Sequence, residues 1–418
     1  MQKIINRNKY LPKILASINK MPITVLIGAR QVGKTSLMSS LNINLPVFKI
    51  DGQSVETNQL FNNISDVKTL LKIKLNPELN GLLIIDEFQF IDKISTKLKL
   101  LIDYNPNLKV LCSGSSSIDI IQKVEESLAG RVRVINVFSL SFSESILFKN
   151  RTLFNEYEKY SIDTNSVIIS HEIKHLLNDN LIYGGMPRVV IEDEYDEKIQ
   201  ILDDIYRTYL LRDVKAYVRN RDSVGFNKLL QILALQISNL VNINDLSKTT
   251  GLTYNKCEEY LYILEQMYIV KLISPFESNK KKAIKKMKKV FFLDLGLRNI
   301  IINNFNNLDL RLDNGALFEN FVFLELEKNK KSYSKLNFYR TRDGAEVDFI
   351  LNDMRKLSSF EVKYKRMKKP GYFKALLNFN KETKINNSYL INLNYNTLEK
   401  EVRYLQACLI EKIFLNKQ

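Results

Sequence analysis

The chain has 418 residues, 45% hydrophobic and 26% charged, the balance of an ordinary globular protein, which excludes a disordered or collagen-like chain. With 62 Lys plus Arg against 46 Asp plus Glu, the net charge of +16 is enough to attract polyanions such as nucleic acid or acidic lipid. The length predicts roughly two to four domains. Cys112, Cys257 and Cys408 lie far apart with no metal-ligand spacing, so a disulfide framework or zinc ribbon is not expected and a cytoplasmic, reducing setting is. The basic N-terminus has no apolar core, and no run reaches the ~18 apolar residues of a membrane span, so no membrane partner is expected.

In the first third, short apolar runs alternate with polar helical stretches, which predicts an α/β domain with a mainly parallel sheet over residues 1–140. The expected strands are 23–27, 47–50, 82–85, 109–113 and 132–137, near-continuous hydrophobic runs of the kind buried on both faces. Residues 141–221 read as a helical lid, broken where Gly184, Gly185 and Pro187 interrupt any helix. Residues 222–294 give a helix, two shorter helices separated at Gly251, and two strands flanking a lysine-rich stretch, the outline of a winged helix-turn-helix. From 295 to 418 the pattern is mixed α/β, with strands expected at 336–339, 345–351, 359–362 and 388–393.

The strongest local motif is Gly28-Ala29-Arg30-Gln31-Val32-Gly33-Lys34-Thr35, between an expected strand and an expected helix. Such a loop wraps phosphate with its backbone N–H groups, its lysine reaches the β- and γ-phosphates of ATP, and its threonine hydroxyl ligates Mg²⁺. Gly28, Arg30, Gly33, Lys34, Thr35 and Ser36 are therefore the candidate nucleotide-binding positions, with Thr35 also a metal ligand. Leu82-Leu83-Ile84-Ile85-Asp86-Glu87 supplies two carboxylates at a strand end, Asp86 to hold Mg²⁺ through water and Glu87 to polarise the attacking water. Ser113, opening Ser113-Gly114-Ser115-Ser116-Ser117, is either a sensor of bound nucleotide or part of a helix-capping turn. Arg131 is either a finger toward a neighbouring subunit's γ-phosphate or one half of a surface salt bridge.

In order, GARQVGKTS, LLIIDEFQ, SGSSS, ESLAGRV with FSLSFSE, YGGMPRVV, LLRDV, KKVFFLDLGLRN, LFENFVFLEL, TRDGAEVDFIL and FEVKYKR give the chain its resemblance. It resembles the prokaryotic AAA-type ATPases that carry a C-terminal domain of unknown function. The resemblance spans nearly the whole chain and implies a RecA-like P-loop core with helical lid, a winged helix, and a terminal domain similar to the PD-(D/E)XK nucleases. It also implies homo-oligomeric rings, such as hexamers, and action on DNA. Gln89 falls in the family's D-E-x-Q pattern, and Arg188 is the lid's expected nucleotide sensor.

Side chains alternate along a strand, so Glu346 and Asp348 share one face, as do Glu361 and Lys363. Asp348 and Glu361 are placed to chelate Mg²⁺ and Lys363 to orient water, with Glu319 joining from a helix that starts near Gly315. An active nuclease and a retired nuclease fold both remain open. Lys280, Lys281, Lys282, Lys285, Lys286, Lys288 and Lys289 make a basic wing suited to DNA phosphates, against the alternative of a solvated lysine loop. Glu258, Glu259 and Glu265 argue against base-specific readout by the preceding helix. His171-Glu172-Ile173-Lys174-His175 matches the zincin spacing, but no third ligand stands out, and a solvated helix face is expected. The overall expectation is Mg²⁺-dependent ATP hydrolysis by a DNA-acting motor or remodeller, with or without DNA cleavage; the alternative is a slow nucleotide-switched regulator or scaffold.

Overall fold

The computed structural model describes residues 7, 9–115, 128–163, 168–277, 287–354, 356–371 and 373–415. It divides into two compact units, one of Met1–Ser139 with Gln266–Tyr268, the other of Leu140–Glu265 with Ile269–Gln418.

The first unit is built on five strands, β1 (Ile23–Gly28), β2 (Val47–Asp51), β3 (Gly81–Asp86), β4 (Leu108–Ser115) and β5 (Val132–Asn136). They are all parallel in the order β2-β3-β4-β1-β5. This is the RecA-like P-loop arrangement. The strand leading into the phosphate loop and the strand delivering the carboxylates flank β4, and all three end on the same edge, where ligands of open parallel sheets bind. Ile23, Val25, Leu83, Ile85, Val110 and Cys112 belong to one buried core. The expectation of strands buried on both faces holds for β1, β3 and β4 but not for β2 and β5, whose residues alternate between exposed and half-buried. These two are the sheet's edges.

The second unit opens with helices Phe142–Lys149, Arg151–Glu158, His171–Tyr183, Pro187–Ile191 and Tyr195–Ile205, then a π-helical turn over Tyr206–Val214. A capping box starts the first of them, Ser141 accepting from Glu144 N while the Glu144 carboxylate takes Ser141 N–H. Several of these helices are tied to later segments of the same unit. Tyr157 donates to Cys408 O at 2.9 Å, Lys412 Nζ meets Glu158 at 2.9 Å, and Phe142 N donates to Glu325 at 3.0 Å.

Helices Ser223–Leu235, Ile243–Thr250 and Tyr254–Gln266 follow, with β6 (Leu240–Val241), β7 (Val270–Ile273) and β8 (Lys288–Phe292) forming an antiparallel sheet in the order β6-β8-β7. Asp294 then joins two distant motifs. It caps helix Leu295–Ile301 through Gly296 N and Leu297 N, and its other oxygen accepts Gly185 N at 3.0 Å. Gly184, at φ +75°, lies so close to Asp294 that a side chain would overlap it. Asn299 adds a second tie, donating to Leu181 O and Ile182 O at the end of helix His171–Tyr183.

The last sheet contains β9 (Lys335–Arg340), β10 (Glu346–Asn352), β11 (Leu357–Val362), β12 (Asn387–Asn392), β13 (Thr397–Glu399) and β14 (Val402–Gln406) in the order β13-β14-β12-β11-β10-β9. β11, β12 and β14 run parallel, the other pairings are antiparallel, and helix Asn314–Asn329 packs beside β8 and β11.

Candidate functional site

The phosphate loop leaves β1 at Gly28, whose Cα lies so near the Val137 carbonyl oxygen that any Cβ there would overlap it. Gln31 and Gly33 turn the loop through left-handed φ values of 62° and 95°, and helix Lys34–Ser39 begins directly after. Arg7, which the sequence did not single out, is buried and ties the loop down by donating from Nη1 to Val32 O and to Phe138 O, both at 2.9 Å. Arg30 is half-buried in the loop; Thr35 and Ser36 are exposed at the start of the helix. Lys34 is buried, with Nζ donating to Gly28 O at 2.9 Å and Ala29 O at 2.8 Å. Burial lowers its pKa to about 8, against the opposing pull of Glu87 and Asp86 and with a further push from Arg30. Lys34 and the two carboxylates therefore share one electrostatic site.

Asp86 ends β3 and accepts Ser113 Oγ and, at 3.1 Å, Glu87 N on the same oxygen, Oδ1. Glu87 stands in the left-handed region at φ 47°, ψ 44°, a strained setting for a side-chain residue and one characteristic of functional positions. Its Oε2 accepts Gln89 Nε2, Ser115 Oγ at 3.3 Å and Ser115 N at 3.4 Å, while Gln89 also donates to Ser115 Oγ at 2.8 Å. Gly114 makes room for this contact, because a Cβ there would meet Gln89 Oε1 and the Phe88 ring at 2.8 Å.

Ser113 is fully buried, donating to Asp86 and accepting Glu87 N at 3.4 Å, while neighbouring Ser115 is the serine that reaches the Glu87 carboxylate. Ser116 and Ser117 lie outside the described residues. Arg131 is ion-paired with Asp103, Nε to Oδ1 at 2.7 Å, which is the salt-bridge alternative, although its side chain is 37% exposed. Arg188 is exposed on helix Pro187–Ile191. His171 and His175 line a shallow pocket with Lys149 and Glu172, and His175 is 3.9 Å from Asp179; this is a polar helix face, as expected.

In the second unit the antiparallel register that pairs Phe349 with Phe360 brings Asp348 beside Glu361 where β10 begins and β11 ends. Glu361 pairs with Lys363 at 2.6 Å, and Asp348 accepts Val362 N at 2.7 Å. The sequence missed the cation at the centre. Lys289, assigned from sequence to the DNA-binding wing, is instead buried, pairing with Glu319 at 2.9 Å and with Glu346. Held this way it is not a phosphate-tracking side chain. Glu319 likewise differs from expectation in spending its carboxylate on Lys289. Burial, and then the Asp348 charge, push Glu319 up to about 8 and Glu361 up to about 7. Asp348 is also raised, by burial first. Burial opposes the Lys289 ammonium, but Glu319, Asp348 and Glu346 together raise its pKa above the ordinary lysine value. Among the described residues no three His, Cys, Asp or Glu side chains are arranged to hold a metal ion. Of the remaining wing, Lys288 is half-buried in β8, and Lys280, Lys281, Lys282, Lys285 and Lys286 lie outside the described residues.

Comparison with known proteins bears on the first site directly. Residues 20–146 match the AAA domain. That stretch contains the phosphate loop, Asp86 and Glu87, Ser113 and Ser115, and Arg131. Residues 174–308 and 314–410 match two domains of unknown function, DUF8612 and DUF4143. An uncharacterized protein of Methanocaldococcus jannaschii is 29% identical over 407 residues, 94% of this chain and 86% of its own. One of Mycobacterium tuberculosis is 22% identical over 366 residues, 86% and 74% of the two chains. Among solved structures, a Walker-type ATPase of Pyrococcus abyssi aligns with TM-score 0.48 and 16% identity, covering 71% of this chain and 95% of that one. A signal-transduction ATPase of Pyrococcus horikoshii with a tetratricopeptide repeat sensor aligns at TM-score 0.30 and 14% identity, covering 79% and 46%. No helix among the described residues is long and apolar enough to cross a membrane.

Proposed function

We propose that the protein hydrolyses ATP with Mg²⁺ at the β1–β3 edge and uses the cycle to act on DNA as a homo-oligomer. The observation that carries this is the convergence of Lys34, Asp86 and Glu87 on one edge of the parallel sheet, within a stretch matching the AAA domain. The phosphate loop binds the nucleotide, Lys34 neutralises its β- and γ-phosphates, and Glu87, held by Gln89 and Ser115, takes up a proton from the attacking water. A metal fits the donors present. Thr35 offers an exposed hydroxyl, and among the described residues both hydrogen bonds to the Asp86 carboxylate fall on Oδ1, so Thr35 and Asp86 Oδ2 are the groups that would hold the metal. When bound, Mg²⁺ supplies charge neutralisation of the phosphates.

Action on DNA is supported by the net charge of +16 and by the lysines at 280–288 next to a three-helix, three-strand arrangement in winged-helix order. Ring assembly, as a hexamer or otherwise, is supported by Arg131, which is exposed enough to exchange Asp103 for a neighbour's phosphate. Steady-state ATP hydrolysis with and without duplex or branched DNA tests this reading. Stimulation of many-fold is expected, whereas a single turnover unaffected by DNA supports a nucleotide-switched regulator with a degenerate nuclease-like domain. The seating of Lys289 favours that second reading for the terminal domain alone.

A further inference from the structure

The carboxylates of the terminal domain are a donor set suited to a hard divalent cation, and Oε2 of Glu361, a residue 93% buried, has no hydrogen-bond partner. Yet a cation already stands among them. Lys289 projects from the central strand of the β6-β8-β7 sheet, where its backbone is fixed between Leu240 and Ile273. Its side chain is only 5% exposed, and its ammonium pairs with Glu319 from helix Asn314–Asn329 and with Glu346 from β10. The Phe338 ring lies beneath it, 5.6 Å from the ammonium to the ring centroid.

We propose that the Lys289 ammonium is the resident cation of the Glu319, Glu346, Asp348 and Glu361 cluster, taking the place of a divalent metal and closing the terminal domain to metal-dependent chemistry. A structural ion pair placed only for stability would match charges one to one. Here Lys289, Lys363 and Arg340, the last 3.3 Å from Glu346, face the carboxyls of Glu319, Glu346, Asp348 and Glu361, so the cluster keeps one acidic group in excess, with one oxygen left over. Such an excess is expected where a doubly charged ion fits and a singly charged one sits. An ammonium donates at most three hydrogen bonds and cannot gather six oxygens as Mg²⁺ or Mn²⁺ does. The cluster therefore stays spread around Lys289 without three ligands converging.

The test is Mn²⁺ binding to the full chain without nucleotide, followed by calorimetry and by the electron paramagnetic resonance signal of free Mn²⁺. Lys289→Met should bind one Mn²⁺ more than the wild type, with at least tenfold higher affinity at that site. Adding Asp348→Asn to Lys289→Met should abolish the extra site, and Lys289→Arg, which keeps the cation, should bind as the wild type does. Removing Lys289 takes away the ammonium that Glu319 pairs with, so Mn²⁺ should also raise the melting temperature of Lys289→Met and not that of the wild type. If Lys289→Met does not fold, Lys289→Gln, whose amide still hydrogen-bonds the carboxyls but carries no charge, should gain the same Mn²⁺ site. Wild-type binding of an Mn²⁺ that Asp348→Asn removes would overturn the proposal. So would wild-type affinity in folded Lys289→Met, or in Lys289→Gln where that variant takes its place. These outcomes are independent of ATP hydrolysis, so the proposal and the functional reading fail separately.

Discussion

Gln89 Nε2 lies 2.8 Å from Ser115 Oγ, and both groups close on the Glu87 carboxylate at the C-terminal ends of the neighbouring parallel strands β3 and β4. A base that must polarise water needs its carboxylate fixed in one direction, and Glu87 also sits on strained backbone that would relax without these contacts. Gln89→Ala and Ser115→Ala should each lower the turnover number by roughly tenfold while leaving ATP affinity within about twofold, as expected when general-base geometry is lost and ground-state binding is kept. Steady-state kinetics with a separate nucleotide-binding titration reads both quantities; a weakened affinity with unchanged turnover would assign these residues to nucleotide binding.

Gly28→Ala should destabilise the first unit, because the new methyl group overlaps the Val137 carbonyl oxygen and neither strand can shift without breaking the β1–β5 pairing. The cost of such overpacking is about 2–3 kcal/mol. Chemical denaturation should show an earlier midpoint at unchanged slope. Gly33→Ala meets nothing within 4 Å, and its penalty comes from the φ of 95° alone.

Arg131→Ala should leave stability almost untouched, since a half-exposed pair with Asp103 is worth ~0–1 kcal/mol. The same change should cut ATP turnover strongly without weakening nucleotide affinity. Mixed assemblies of Arg131→Ala with Glu87→Gln subunits should recover some turnover. Co-assembly confirmed by affinity capture, with no recovery, would leave Arg131 as a salt bridge and nothing more.

Much of this architecture is legible in the sequence because parallel strands buried on both faces advertise themselves as apolar runs, and β1, β3 and β4 fall within two residues of their expected ends. The phosphate loop is equally legible, since its chemistry is local. What escapes is long-range. β13 and β14 are short and carry polar residues such as Thr397, Glu399 and Gln406. Nothing near Gly28 announces Val137, and nothing near Lys289 announces Glu319 thirty positions later. A lysine inside a lysine-rich run reads as solvated, so the one that turns inward is indistinguishable until the fold supplies its partners. Ser113 and Ser115 stand two residues apart on one face of β4, and which of them meets Asp86 and which the Glu87 carboxylate needs the register with β3.

Neutralising Lys281, Lys282, Lys285 and Lys286 together should weaken DNA binding about equally across sequences and flatten the dependence of log K on log salt. Phosphate contacts release counterions without reading bases, each contributing a slope of about −0.9 on duplex DNA. Lys289→Met should leave that slope unchanged, because its ammonium is committed to Glu319 and Glu346. An unchanged slope in the fourfold variant would move DNA binding elsewhere on the protein.

The central claim is that Lys34 grips phosphate and Glu87 activates water in one ATP-hydrolysing site, and the most direct measurement is ATP binding and turnover in Lys34→Ala and Glu87→Gln side by side. Lys34→Ala should lose nucleotide binding, and Glu87→Gln should bind ATP as the wild type does while turnover falls by roughly two orders of magnitude or more. Wild-type turnover in Glu87→Gln, or wild-type binding in Lys34→Ala, would contradict the account.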